Sequence, residues 1–481
     1  MIGQTELLFF SVLAVVCSAV TILLALCFRG SARLLWGACL VPLFLLGRAY
    51  ATVGFPPVYL MDLLAVLALL VTAGAWGPRL VSEPRLRGFR MVAFLLAAFT
   101  AQAVYRGVAA GYPDPLKGVI LGVYPMFGLC ATTWLLTRPE RELTRCRWVL
   151  YMPALGALVS MATGLPTIVA ATGLYLAIAG AFAVSLHRRG DSRLLFWTVA
   201  GTGVITALAS KRGPFLAVVA AMVATAVADR AGRRSASRRS ALSWGIATTA
   251  VAAVVAFTLS GHRLVEAPVV GGLTTRAASG WQTSGSEAAN NVGIRFALWE
   301  EALGESLEHP LIGAGTGHPL ELVFEGRPRH EPKAGPHNSF VGYLYYLGWP
   351  AGLGFILLTA ATLRRTWRAR HHRFAACWFG ATVGVCVIAF TNVTFETTYM
   401  GLPSWLVLSC AYGLVGVPRG DEGETGPATR AAAASPLSGV SSRAAEPAGA
   451  RPAPLPHRRR AFPPDISPAP YKHTAAFPSR H

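Results

Sequence analysis

The sequence predicts an all-α polytopic membrane protein, and three observations predict it. Hydrophobic residues fill 53% of the 481 positions and charged residues only 14%, with a mean hydropathy of +0.47, well outside the range of soluble globular chains. Apolar runs of the roughly 20 residues needed to cross about 30 Å of hydrocarbon recur along the chain. The basic residues fall into alternate connections between those runs rather than into one patch.

About thirteen spans follow in order, near 7–27, 34–49, 58–77, 91–105, 119–136, 149–163, 166–186, 194–209, 214–228, 241–259, 338–362, 374–391 and 401–417. The first is read as a membrane helix, because "MIGQTELLFF" has no basic segment ahead of its apolar run and no small-residue cleavage site precedes "CFRGSAR". Of the 43 Lys and Arg, 32 lie on one side when alternate connections are grouped. Short cytoplasmic loops retain Lys and Arg during insertion, so that side is the cytoplasm. The N-terminus then faces outside and the C-terminus inside, and residues 260–336 form one large extracytoplasmic loop. The net charge of +20 is therefore topology, and no nucleic-acid partner is expected.

Residues 1–417 read as one transmembrane domain, because the other connections are short. After it, 418–481 is rich in Pro, Ala, Ser and Arg without apolar periodicity, the composition of a disordered cytoplasmic tail. The heavy alanine content and the preference for Arg over Lys read as genome composition rather than mechanism. The eight cysteines avoid the large loop and form no CxxC pair, so neither a disulfide framework nor a metal site is expected.

Within the loop, Phe296, Trp299, Leu303 and Leu307 recur at helical spacing, which predicts an amphipathic helix lying along the outer membrane surface. Pro310 ends it, and "LIGAGTGHP" follows as a Gly-rich turn.

Three features on the outer side carry candidate chemistry. Lys211 and Arg212 in "SKRGPF" open a span where the charge rule disfavours basic residues; interfacial snorkelling is the plain alternative. Arg295 sits on the amphipathic helix of a loop with six basic residues against nine glutamates, so an ion pair within the helix competes with ligand binding. His337 and Asn338 open the span after the loop, where a helix cap is the ordinary role, yet histidine is the side chain best matched to proton transfer near neutral pH. Asp62, inside the third span, is costly in lipid and so a functional candidate. His309, His318 and His330 lack metal-ligand spacing and read as solvated loop residues. Tyr343, Tyr345 and Tyr346 read as packing residues.

The order "ASKRGPF", then "GIRFALWEEALGESLEHPLIGAGTG", then "PHNSFVGYLYYLGWPAGL" resembles the O-antigen ligase and O-antigen polymerase superfamily of bacterial membrane glycosyltransferases. The likeness covers about residues 205–360. It implies a helical body like that of C-type glycosyltransferases, multi-pass in the bacterial cytoplasmic membrane and needing neither metal nor cofactor. It also implies transfer of a glycan from an undecaprenyl-diphosphate carrier to an acceptor hydroxyl on a glycan or lipid at the outer face, in surface polysaccharide assembly. Carried over by position, Arg212 and Arg295, with Lys211 sharing the role, would bind the diphosphate, His337 would activate the acceptor, and Asn338 would support it. The alternative is a flippase or transporter of a lipid-linked sugar, which needs the same cations but no proton acceptor at the outer mouth.

Overall fold

The computed structural model describes residues 32–51, 53–55, 58–136, 146–163, 169–188, 192–209, 212–233, 285–324, 327–330, 335–372 and 374–415. The expected spans 7–27 and 241–259, Lys211 and the expected tail lie outside the described residues. The eleven other expected spans all coincide with helix: α1 (Ala32–Leu46), α2 (Arg48–Ala51), α3 (Leu60–Ser82), α4 (Arg87–Ala109), α5 (Ile120–Leu135), α6 (Met152–Thr163), α7 (Val169–Arg188), α8 (Arg193–Ala209), α9 (Arg212–Arg233), α11 (Ser339–Leu347) with α12 (Trp349–Arg368), α13 (Ala375–Thr391) and α14 (Thr398–Leu414). The loop helix is α10 (Gly285–Glu308). Two short antiparallel hairpins, β1 (Gly54–Phe55) with β2 (Val58–Tyr59) and β3 (Glu321–Phe324) with β4 (Arg327–His330), depart from an all-helical chain. By length and composition, the helical stretches Pro84–Ala109, Pro115–Leu135 and Phe215–Gly232 suffice to cross a membrane.

The core is a bundle in which α9 packs on α13 and α7, α14 on α5, and α5 on α4 and α3. Here the alanine content has a mechanical use, which corrects its reading as genome composition. On α9, Ala217, Ala221, Ala224 and Ala228 are all buried, at spacings of four and three that stack them on one helix face. Opposite them, a Cβ on Gly380 or Gly384 of α13 would run into Thr225 or into Ala177 and Ala221. Small residues let the helix axes approach where apolar burial alone gives no preference between lipid and protein.

One expected span is broken. Residues 338–362 form two helices because Gly348 takes φ 86° and ψ 171°, a conformation essentially reserved for glycine. Pro350 then occupies the first turn of α12, where its missing N–H costs nothing. Nine residues of α11 rise only about 14 Å at 1.5 Å each. His337 therefore precedes a short helix seated over the bundle, and α12 is the longer element.

The ends of the helices sort into two groups. One contains Arg90, whose guanidinium donates to the carbonyl of Leu80 at 2.8 Å, Arg365 over the Tyr412 ring at 4.1 Å and the Arg188–Asp229 pair at 3.2 Å. The other gathers the start of α3, the end of α4, the start of α5, the entry to α11 and the α13–α14 connection.

The loop helix forms, and most of its large apolar stripe faces away from the protein. Leu298, Ala302 and Ser306 are buried, while Phe296, Leu303 and Leu307 are exposed, Leu307 at 64%. Only Trp299 of the expected stripe turns inward, edge-on to Phe390 at 5.3 Å between ring centroids.

Candidate active site

The site is organised by the last turn of α13 and the connection to α14. Asn338 caps α11, its side-chain oxygen accepting from the backbone N–H of Phe340 at 3.0 Å and of Val341 at 3.3 Å, the ordinary chemistry of an N-cap. The next residue, Ser339, is a hub: its hydroxyl accepts from the N–H groups of Thr394 (2.8 Å) and Phe395 (3.1 Å). It also lies 2.5 Å from Glu396 Oε2, to which it donates. This one hydroxyl thus fastens the start of α11 to the 392–397 connection.

Arg295 reaches the same place from α10. Its guanidinium donates to the carbonyl of Thr391, the last residue of α13, at 2.8 Å, while Ser339 Oγ lies 3.3 Å from the carbonyl of the adjacent Asn392. A cation at a helix C-terminus is favoured by the exposed carbonyls there. Burial pushes the Arg295 pKa below the usual guanidinium value, which is desolvation disfavouring the charged form. One carbonyl occupies one of five donors, leaving a fork able to meet an anion.

His337 stands between buried Pro336 and buried Asn338 in the left-handed region, at φ 49°. Histidine tolerates this better than most side chains, at a cost on the order of 1 kcal/mol. Among the described non-glycine residues only Asp114 shares the conformation.

Of the expected binding residues, His337, Asn338 and Arg295 converge on one connection. Arg212 is the first residue of α9, and Lys211 falls outside the described residues. Two other cations are already engaged: Arg106 donates to the carbonyl of Gly313, and Lys117 pairs with Asp114 at 2.5 Å.

The Gly-rich turn is a clasp rather than a phosphate cradle. Gly313, Gly315 and Gly317 all have positive φ, but the N–H groups of Gly313, Ala314, Gly315 and Thr316 are bonded to the carbonyls of His309, Tyr345, Tyr346 and Ala103. The Thr316 side chain presses against Gly118, while its carbonyl lies against Gly107; a Cβ at either glycine would collide.

Asp62 accepts from the Tyr124 hydroxyl at 3.0 Å, a structural tie between α3 and α5. His318 is not a solvated loop residue: its Nδ1 is 2.7 Å from the Tyr345 hydroxyl, and Tyr112 packs edge-on against its ring. Tyr343 packs as expected, stacked on Phe355 at 4.4 Å. His309, with Glu305 and Glu308, brings ligand-type atoms within 4.8 Å of one another at the end of α10; both Glu308 and Glu305 project from one helix end, an arrangement common without an ion.

Glu396 was not anticipated. One of its oxygens, Oε1, is buried with no hydrogen-bond partner among the described residues, and burial pushes the carboxyl up to about 7. The signal was present in the sequence: Glu396 is the only acidic residue between Glu331 and Asp421.

Residues 194–356, from α8 into α12, match the family described as O-antigen ligase. Over that third of the chain the sequence is similar to O-antigen ligases. That stretch holds Arg212, Arg295 and His337 and excludes Glu396, and it coincides with the region whose motifs suggested the superfamily. No curated protein matches the chain. That match supports a glycosyltransferase-like enzyme of surface polysaccharide assembly, associated with a membrane and acting on a lipid-linked glycan.

Proposed function

We propose that this protein transfers a glycan from undecaprenyl diphosphate to an acceptor hydroxyl at the outer face of the bacterial cytoplasmic membrane, without a metal ion. His337 takes the proton of the acceptor hydroxyl. The acceptor oxygen forms a bond to the anomeric carbon as the bond from that carbon to the diphosphate oxygen breaks. The departing electron pair stays on the diphosphate, where Arg295 and Arg212, with Lys211, balance the added charge, and His337 returns its proton to water. Fixed guanidinium charge suits such a leaving group, because it is permanently charged and its donors are planar. Asn338 serves by capping α11 and thereby fixing the residue before it.

The observation that carries this reading is the backbone of His337. A histidine held at φ 49° beside the helix terminus that Arg295 engages is strain retained where pre-organisation has a use. The thirteen crossings, the single domain over 1–417 and the cytoplasmic C-terminus belong to the same proposal. Exposed Phe296, Leu303 and Leu307 on α10 suit a helix whose outer face rests in the membrane interface.

The test is complementation of a strain lacking the gene, comparing the intact protein with His337→Ala at matched membrane levels. The proposal expects long surface glycan from the intact protein, and lipid-linked glycan stranded on the outer leaflet with the variant. Normal glycan from the variant removes His337 from the reaction. Stranding on the inner leaflet when the protein is absent makes it a flippase.

A further inference from the structure

A cavity of about 230 Å³ lies beside the site, walled by the 113–118 turn, Thr316 to His318, Gly335, Tyr346 and the connection bearing Glu396 and Thr397. Gly335 lines it, whereas His337 and Arg295 do not. The cavity is thus lined by neighbours of the site residues rather than by the residues assigned to the diphosphate and to proton transfer.

Its chemistry is that of a polyhydroxyl ring. The one cation in its wall, Lys117, is paired with Asp114 at 2.5 Å, so a diphosphate would find no spare positive charge. Polar side chains line it, Glu396, Thr397, His318 and Tyr346, with the Glu396 Oε2 already held by Ser339 and the His318 Nδ1 by Tyr345. Tyr346 adds an aromatic surface of the kind that packs on sugar C–H faces. The volume is below the about 300–1,000 Å³ of pockets for drug-sized ligands, which suits one pyranose ring and not a chain.

Resting on the transferase reading above, we propose that this cavity binds the terminal sugar of the acceptor, apart from the arginine-held diphosphate. Displacement at the anomeric carbon needs the incoming hydroxyl and the leaving diphosphate on opposite faces, so the acceptor sugar needs a place of its own, and a cavity without spare positive charge beside the connection that Arg295 engages offers one.

The test uses the full chain in lipid nanodiscs. Saturation-transfer NMR with a panel of methyl pyranosides reads ring binding, and a reconstituted transfer assay reads donor and acceptor KM separately. At least one glycoside should bind and should remain bound when inorganic pyrophosphate is added. Thr397→Phe, which fills the cavity, should weaken that binding at least tenfold. Tyr346→Phe removes one oxygen and fills nothing; it should weaken binding about threefold and raise the acceptor KM by a similar factor with the donor KM unchanged. Glycoside binding undiminished in both variants overturns the proposal, and so does displacement by pyrophosphate. A raised donor KM with an unchanged acceptor KM assigns the cavity to the donor sugar and overturns it too. If no glycoside binds while transfer proceeds normally, the pocket assignment falls and the transferase reading stands; if glycosides bind as expected but no transfer occurs, the reverse holds.

Discussion

Replacing Glu396 by glutamine isolates the energetic cost of a buried carboxyl at the centre of the site. The carboxyl receives the Ser339 hydroxyl on Oε2 and leaves Oε1 buried without a partner among the described residues, and its pKa is pushed from 4.5 to about 7. An acid whose folded pKa exceeds its unfolded value holds its proton more tightly when folded. Its stabilising contribution is complete below about pH 4.5 and is lost as pH rises through 7. The difference corresponds to at most about 3 kcal/mol. Glutamine keeps the shape and an acceptor for Ser339 but does not titrate. Melting followed by intrinsic fluorescence in detergent micelles, between pH 5 and pH 8.5, should show the wild type losing roughly 3–6 °C more than Glu396→Gln across that window, at about 1–2 °C per kcal/mol for a chain of this size. Parallel profiles, or a wild type that gains stability as pH rises, would refute the burial argument.

Three further outcomes are expected. Ser339→Ala orphans the buried N–H groups of Thr394 and Phe395 together with one Glu396 oxygen and should cost about 2–4 kcal/mol, seen as a lower melting temperature at every pH. His337→Gly relaxes a left-handed residue, so it should melt no lower than wild type while transfer is abolished; a variant both stable and active would mean that the imidazole is idle. Cysteine placed at exposed Lys117 should react with a membrane-impermeant maleimide on intact cells, and cysteine placed at exposed Arg364 only after permeabilisation; the opposite pattern inverts the topology.

The helices were legible because each apolar run has length and sharp polar ends. The protein-facing side of α10 was not written in its large apolar stripe, for a physical reason. A helix lying between protein and membrane is apolar on both sides, and periodicity favours the larger side chains, Phe296, Leu303 and Leu307, over Leu298 and Ala302, which face the protein. The break at Gly348 was written in "LGWPAGL" as a glycine followed two residues later by proline, but the hydropathy of the surrounding stretch concealed it. Arg295 and His337 could be singled out because they are charged or titratable where such groups are unexpected, and the same reasoning applied to the α13–α14 connection finds Glu396. The cavity was not legible at all, since its wall draws on four segments that only tertiary folding juxtaposes.

The clasp formed by the Gly-rich turn has a genetic consequence. Thr316 fits between Gly107 and Gly118 like a bolt in a slot, and the two halves of the slot differ in what they can forgive. At Gly118 an added methyl meets only the side chain of Thr316, whereas at Gly107 it meets the backbone carbonyl of the same residue. A strain disabled by Gly118→Ala can therefore be rescued by Thr316→Gly, some 200 residues downstream, because serine or alanine would keep the Cβ that collides with the added methyl. One disabled by Gly107→Ala has no such suppressor there, because no side-chain change moves the carbonyl, so the two lesions should part company in a reversion screen.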